Sequence, residues 1–129
     1  MSDPSSRRSA GWPRYDRRVA FDEDLADRIR ELVGHERGVS EKQMFGVLAF
    51  LVGGHMAVSA SGRGGLLVRV DPAETDRLLA RADVHPFEMR GRPLDGWLRV
   101  DDAGVRTKRQ LAGWVTRGLA FARSLPPKR

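Results

Sequence analysis

The sequence predicts an α+β fold: a two-layer sandwich in which a five-stranded, mainly antiparallel sheet carries its helices on one side. Three observations predict it. Short apolar or alternating runs are separated by glycine-rich turns too short for parallel crossovers. Two stretches, one on each side of these runs, place apolar residues at helical spacing. Between the runs, Asp71-Pro72-Ala73-Glu74 marks the start of a third helix. The expected order is α-β-β-β-α-β-β-α.

Residues 1–18 mix Ser, Arg, Pro, Gly and Asp without hydrophobic period and read as a flexible basic arm, leaving 19–129 as the folded domain. From Phe21, acidic Asp22, Glu23 and Asp24 suit the positive end of a helix, and Leu25, Ile29, Leu32 and Val33 give it one apolar side. It should stop between Gly34 and Gly38. Lys42 to Val52 reads as one strand, Gly53-Gly54 as a two-residue turn and His55 to Ala60 as the returning strand. Ser61-Gly62-Arg63-Gly64-Gly65 turns the chain again into Leu66 to Val70. In the next helix Asp71 should cap, Pro72 occupy the first position and Glu74 reach back to the cap. Phe87 to Met89 and Trp97 to Val100 read as two strands around Gly91-Arg92-Pro93. The last helix runs from about Thr107 to Leu125, with Leu111, Trp114, Val115, Leu119, Ala122 and Leu125 on one stripe.

Composition narrows the classes of function. Cysteine is absent, which excludes disulfides, thiolate metal sites and cysteine nucleophiles. The first 20 residues hold no apolar signal core, and no stretch approaches the ~20 apolar residues of a membrane span. A cytoplasmic location is expected. The net charge of +6 is unevenly placed. Residues 1–20 carry five arginines against Asp3 and Asp16, and from Arg106 onward five arginines and two lysines meet no acid. The stretch between is mildly acidic. A nucleic-acid surface needs its basic residues gathered along a line of phosphates, so Arg7, Arg8, Arg17 and Arg18 of the arm and Arg106, Arg109, Arg117 and Arg123 of the last helix are the candidates. The ordinary reading of the helical four is a solvated outer face.

Candidate chemistry is sparse. The glycine-rich turn at 61–65 lacks the lysine and the strand-loop-helix setting of a phosphate loop and reads as a hairpin turn. His35, His55 and His85 are too far apart in sequence to form a zinc motif, and Ser59 and Ser61 sit in no nucleophile elbow. No metal, cofactor or catalytic residue is implied, and the chain is not expected to be an enzyme. Strand alternation places Arg69 with Leu67 opposite Leu66, Val68 and Val70, and Arg99 alternates similarly. Two arginines on one face could hold a carboxylate or phosphate, or each could pair with an internal acid such as Glu88, Asp95 or Asp101. The 44–52 run is apolar on both faces: Leu48, Phe50 and Val52 on one, Phe45, Val47, Ala49 and Leu51 on the other. One helix layer covers only one of these, and a homodimer is the expected cover for the second.

Met44-Phe45-Gly46, the Gly-Gly-His-Met-Ala-Val hairpin at 53–58, Leu-Leu-Val-Arg-Val-Asp-Pro at 66–72 and Gly-Arg-Pro-Leu-Asp-Gly-Trp-Leu-Arg-Val-Asp at 91–101 together resemble the N-terminal domain of the TfoX/Sxy family. The resemblance spans roughly Phe21 to Lys128, with Val47 where the family usually has a second glycine. It implies a single-domain member with the layout above and no catalytic residues. Met44, Phe45, Gly46, Gly91, Arg92, Pro93 and Trp97 would then be marks of the scaffold, as turns and packing. The family is associated with regulators of natural competence, so the implied function is a non-enzymatic regulatory or adaptor domain working through protein contacts. Direct nucleic-acid binding through the basic ends is the first alternative. The second is a binder of small anions, or an enzyme of another kind, built on Arg69 and Arg99.

Overall fold

Helix α1 (Glu23–Val33) starts where the sequence places it, because the Asp22 carboxylate accepts the Leu25 amide at 3.1 Å and Glu23 and Asp24 fill the first turn. It buries Leu25, Ala26, Ile29 and Val33. The computed structural model describes residues 22–128 apart from Phe45, Arg63 and Gly64, and only the backbone of Met44. The arm at 1–18, with Arg7, Arg8, Arg17 and Arg18, lies outside the described residues.

The sheet has six strands, not the expected five. Strand β1 (Val39–Met44) and strand β2 (Val47–Val52) together replace the single strand expected over 42–52, because Gly46, at φ 79°, turns the chain back and pairs Met44 with Val47. The side chains of Ser40, Glu41, Lys42 and Gln43 are exposed, so β1 is a polar edge strand with no apolar alternation to reveal it. Strand β3 (His55–Ser61) and strand β4 (Leu66–Arg69) complete a four-stranded meander. A bulge at Ala57 shifts the β2–β3 register from Phe50↔Val58 to Leu51↔Met56.

After β4, Asp71 accepts the Ala73 amide at 2.9 Å and opens a 3₁₀ turn (Pro72–Glu74) that runs into the short helix α2 (Thr75–Leu79). Glu74 does not reach back to the cap; its carboxylate is drawn away by Arg77 and Arg117. Strand β5 (Val84–Met89) and strand β6 (Arg92–Val100) are longer than expected and turn at Arg90-Gly91, both at positive φ, rather than at Gly91-Arg92-Pro93. Arg92 and Pro93 therefore begin β6, and β6 joins the meander through β4. The sheet order is β1-β2-β3-β4-β6-β5, with every neighbouring pair antiparallel.

Helix α3 (Lys108–Ser124) is closed at its start by a capping box: the Thr107 hydroxyl accepts the Gln110 amide at 3.0 Å, and the Gln110 side chain accepts the Thr107 amide at 2.9 Å. It lies over β2, β3 and β4 and buries Leu111, Trp114, Val115, Leu119 and Ala122 against Phe50, Val58, Leu66 and Val68. Gly118 lets it approach: a Cβ there would stand 2.5 Å from the Ala57 carbonyl oxygen. Helix α2 packs instead on β5 and β6, and α1 packs on α3 and β3. Beyond α3 the chain is fastened to the β2–β3 hairpin, with the Lys128 amide donating to Gly53 at 2.7 Å and His55 Nε2 2.6 Å from the Pro126 carbonyl oxygen. Among the described residues no helix is long and apolar enough to cross a membrane.

Candidate functional site

Arg69 and Arg99 share a sheet face, as alternation requires. The register pairs Arg69 with Trp97 and Leu67 with Arg99, so the two arginines are diagonal neighbours, while Val68 and Leu98 point to the core. Each is already engaged. The β3–β4 register ends at Val58↔Val68, short of Arg69, whose guanidinium lies 5.0 Å from the Trp97 ring centre and 5.4 Å from that of Phe121 on α3. Arg99 reaches Asp101 at 3.3 Å, and the other carboxylate oxygen of Asp101 is 2.7 Å from His85 Nε2. The hydrogen bond from His85, reinforced by the charges of His85 and Arg99, holds the Asp101 carboxyl below its usual range. The acid pairing foreseen for Arg99 is thus realised at Asp101, and the Arg69 cation is set against two rings, Trp97 and Phe121.

Of the helical arginines, Arg117 is bound to Glu74, and Arg123 bridges Glu36 at 2.8 Å and the Arg37 carbonyl at 2.9 Å. Arg106 and Arg109 are exposed and have no acid partner among the described residues. Arg28 of α1 donates to the Val105 and Arg106 carbonyls at 2.7 and 3.2 Å and so ties α1 to the segment leading into α3.

The other sequence features take their ordinary roles. The Gly65 amide is occupied by Asp102 Oδ1 at 2.9 Å and so is not free to hold an anion, and Arg63 and Gly64 of the 61–65 stretch lie outside the described residues. Among the described residues no group of three His, Asp or Glu is placed to hold a metal ion. Of the family marks, Gly46 and Gly91 form turns, Arg92 and Pro93 are exposed at the start of β6, and Trp97 supports Arg69; the side chains of Met44 and Phe45 lie outside the described residues. On the second face of β2, Ala49 is fully buried and Val47 and Leu51 are half-buried. Met89, 54% exposed, is the one large apolar side chain among the described residues that stands out in solvent.

One constellation is absent from the sequence reading. A cavity of about 210 Å³ opens between the α2–β5 loop and the first three turns of α3, lined by Arg81, Asp83, Gly104, Arg109, Gln110, Gly113, Trp114 and Arg117. Trp114 is 4% exposed, and its ring centre lies 5.2 Å from the Arg81 guanidinium and 5.7 Å from that of Arg117. Arg109, Gly113 and Arg117 follow one another at a spacing of four along one side of α3, the residue between the two arginines having no side chain. That spacing was readable in the sequence; the arrival of Arg81 from a separate loop was not.

A single antiparallel sheet layered with helices defines a small α+β domain whose distinctive side chains, among the described residues, are arginines set against aromatic rings. The chain belongs to the TfoX N-terminal domain family, whose model matches residues 31–122, from the last turn of α1 to the last turn of α3. Neither a search of curated proteins nor one of solved structures finds a match.

Proposed function

We propose that the chain is a non-enzymatic regulatory domain of the cytoplasm that acts by contact with another protein, in regulation of the competence or transcriptional type. Membership of the TfoX N-terminal domain family over residues 31–122 carries this reading. The arginines support it in a lesser way: Arg30, Arg77, Arg99, Arg117 and Arg123 are each tied to a carboxylate of the chain itself, which offsets part of their charge toward a phosphate backbone. The test is the transcript profile of a host strain lacking the gene, with and without complementation. A defined, complemented set of altered transcripts is expected, and an unchanged profile would remove the regulatory role.

Direct contact with DNA is the second reading, favoured by the exposed Arg106 and Arg109 and by the arginines that the sequence carries in residues 1–18. Fluorescence anisotropy of labelled duplex across a salt series separates the two. Protein contact predicts no tight, salt-steep binding; binding that weakens steeply with salt and collapses when residues 1–18 are removed would transfer the function to DNA.

A further inference from the structure

We infer that the cavity beside Trp114 is a binding site for the phosphoryl group of a small molecule, held by Arg81, Arg109 and Arg117. The inference does not depend on the regulatory reading.

Arg81 and Arg109 have no carboxylate partner among the described residues, although the same chain neutralises five other arginines with its own acids. Both nevertheless line one cavity. The Arg81 and Arg117 guanidiniums are set against the Trp114 ring, so their planes are positioned before any ligand arrives, and less side-chain freedom is lost on binding. The first turn of α3 carries Lys108 and Arg109 and no acid, against the sense of the helix dipole; α1, by contrast, opens with Glu23 and Asp24. An anion in the cavity removes that conflict. A sequence that breaks a local rule at the mouth of a cavity breaks it where function gives the reason.

Charge and size select the ligand class. Glu74 is shared by Arg77 and Arg117, and Asp83 also lines the cavity, its carboxylate lodged against Gly104. Three guanidiniums and one carboxylate therefore line the cavity, and of the three only Arg117 is met by a carboxylate, Glu74, from outside the lining. The surplus of positive charge calls for an anion, and a phosphoryl group, about −1.5 to −2 at neutral pH, offers three terminal oxygens for the guanidiniums to donate to. The space, about 210 Å³, lies below the roughly 300–1,000 Å³ of whole-cofactor pockets and fits a phosphoryl head with little attached to it.

The test is isothermal titration calorimetry of the full chain with inorganic phosphate and with glycerol 3-phosphate, at constant ionic strength, with acetate as control. Saturable one-to-one binding is expected, weakened at least about tenfold in Arg81→Gln and in Arg109→Gln, neither of which breaks an ion pair. Tighter phosphate identifies the free ion, and tighter glycerol 3-phosphate a monoester; either supports the site. A Gly113→Gln variant puts a side chain on the cavity wall at an exposed helical position where a Cβ meets nothing within 4 Å. It should bind less while melting higher, a combination that misfolding cannot produce. Heat that never saturates, acetate binding as well as phosphate, or affinities unchanged in all three variants would overturn the inference. So would mixed-sequence duplex DNA that displaces phosphate with a steep salt slope, because the groove would then belong to a nucleic-acid backbone.

Discussion

Replacing Gly118 and Gly113 by alanine, one at a time, tests how α3 meets the sheet. Both positions lie inside the same helix, where alanine is favoured over glycine by about 1 kcal/mol. At Gly118 the new Cβ would stand 2.5 Å from the Ala57 carbonyl oxygen, 3.1 Å from its carbon and 3.0 Å from a Val58 methyl. The first two are backbone atoms of a bulge in a central strand and have nowhere to go. The helix must lift, loosening Trp114, Val115, Leu119 and Ala122 from the core. Overpacking of this kind costs about 1–3 kcal/mol, and against rigid backbone the upper part of that range applies, so that after the helical gain a net loss approaching about 2 kcal/mol remains. At Gly113 nothing lies within 4 Å of the added carbon, so the gain of about 0.5–1 kcal/mol stands alone. Urea unfolding should show the two midpoints moving in opposite directions at constant slope. A Gly118→Ala protein as stable as the parent would refute the close approach of helix and bulge. A Gly113→Ala protein less stable than the parent would refute the open setting of that turn.

Two further perturbations read single groups. The Ser59 hydroxyl is fully buried and has no hydrogen-bond partner among the described residues, so Ser59→Ala should raise stability by about 1 kcal/mol, read as a higher melting temperature; a fall would mean that the hydroxyl is bonded. The Asp101 carboxyl titrates below its usual value near 3.9, so the folded state gains from its ionisation above about pH 4 and loses that gain as the pH falls through the depressed value. The advantage of the parent over Asp101→Asn should therefore hold above about pH 4 and vanish below it in acid unfolding curves, and a difference that persists at pH 2 would contradict the assignment.

Much of the architecture was legible because turns and caps are local. Asp22, Asp71 and Thr107 mark their helix starts through side-chain chemistry confined to one turn, and the Gly53-Gly54 hairpin follows from two adjacent residues. The edge strand β1 was not legible, since Val-Ser-Glu-Lys-Gln-Met has solvent on most of its side chains and carries no alternation. The turn at Arg90-Gly91 was misplaced by one residue because Arg90 adopts positive φ, a conformation that its residue type does not advertise. The candidate site divides in the same way. Alternation placed Arg69 and Arg99 on one face, but which acid or ring each meets depends on register and on α3, both long-range. The Trp114 cavity needs a loop some thirty residues upstream of its helix, and no local pattern encodes that meeting.

The union of β4 with β6 rests on four facing pairs, Leu66↔Val100, Leu67↔Arg99, Val68↔Leu98 and Arg69↔Trp97. On one side of that seam α3 holds β2, β3 and β4; on the other α2 holds β5 and β6. One piece of the sheet thus lies under α3 and the other under α2, over a single hydrophobic core that runs across the seam. The ion pair between Arg117 and Glu74 straddles the seam, and so does the cavity, which takes Arg81 and Asp83 from one piece and Trp114 from the other. An occupant of the cavity would touch side chains carried on both pieces, so its binding would stabilise their joint packing in step with its concentration.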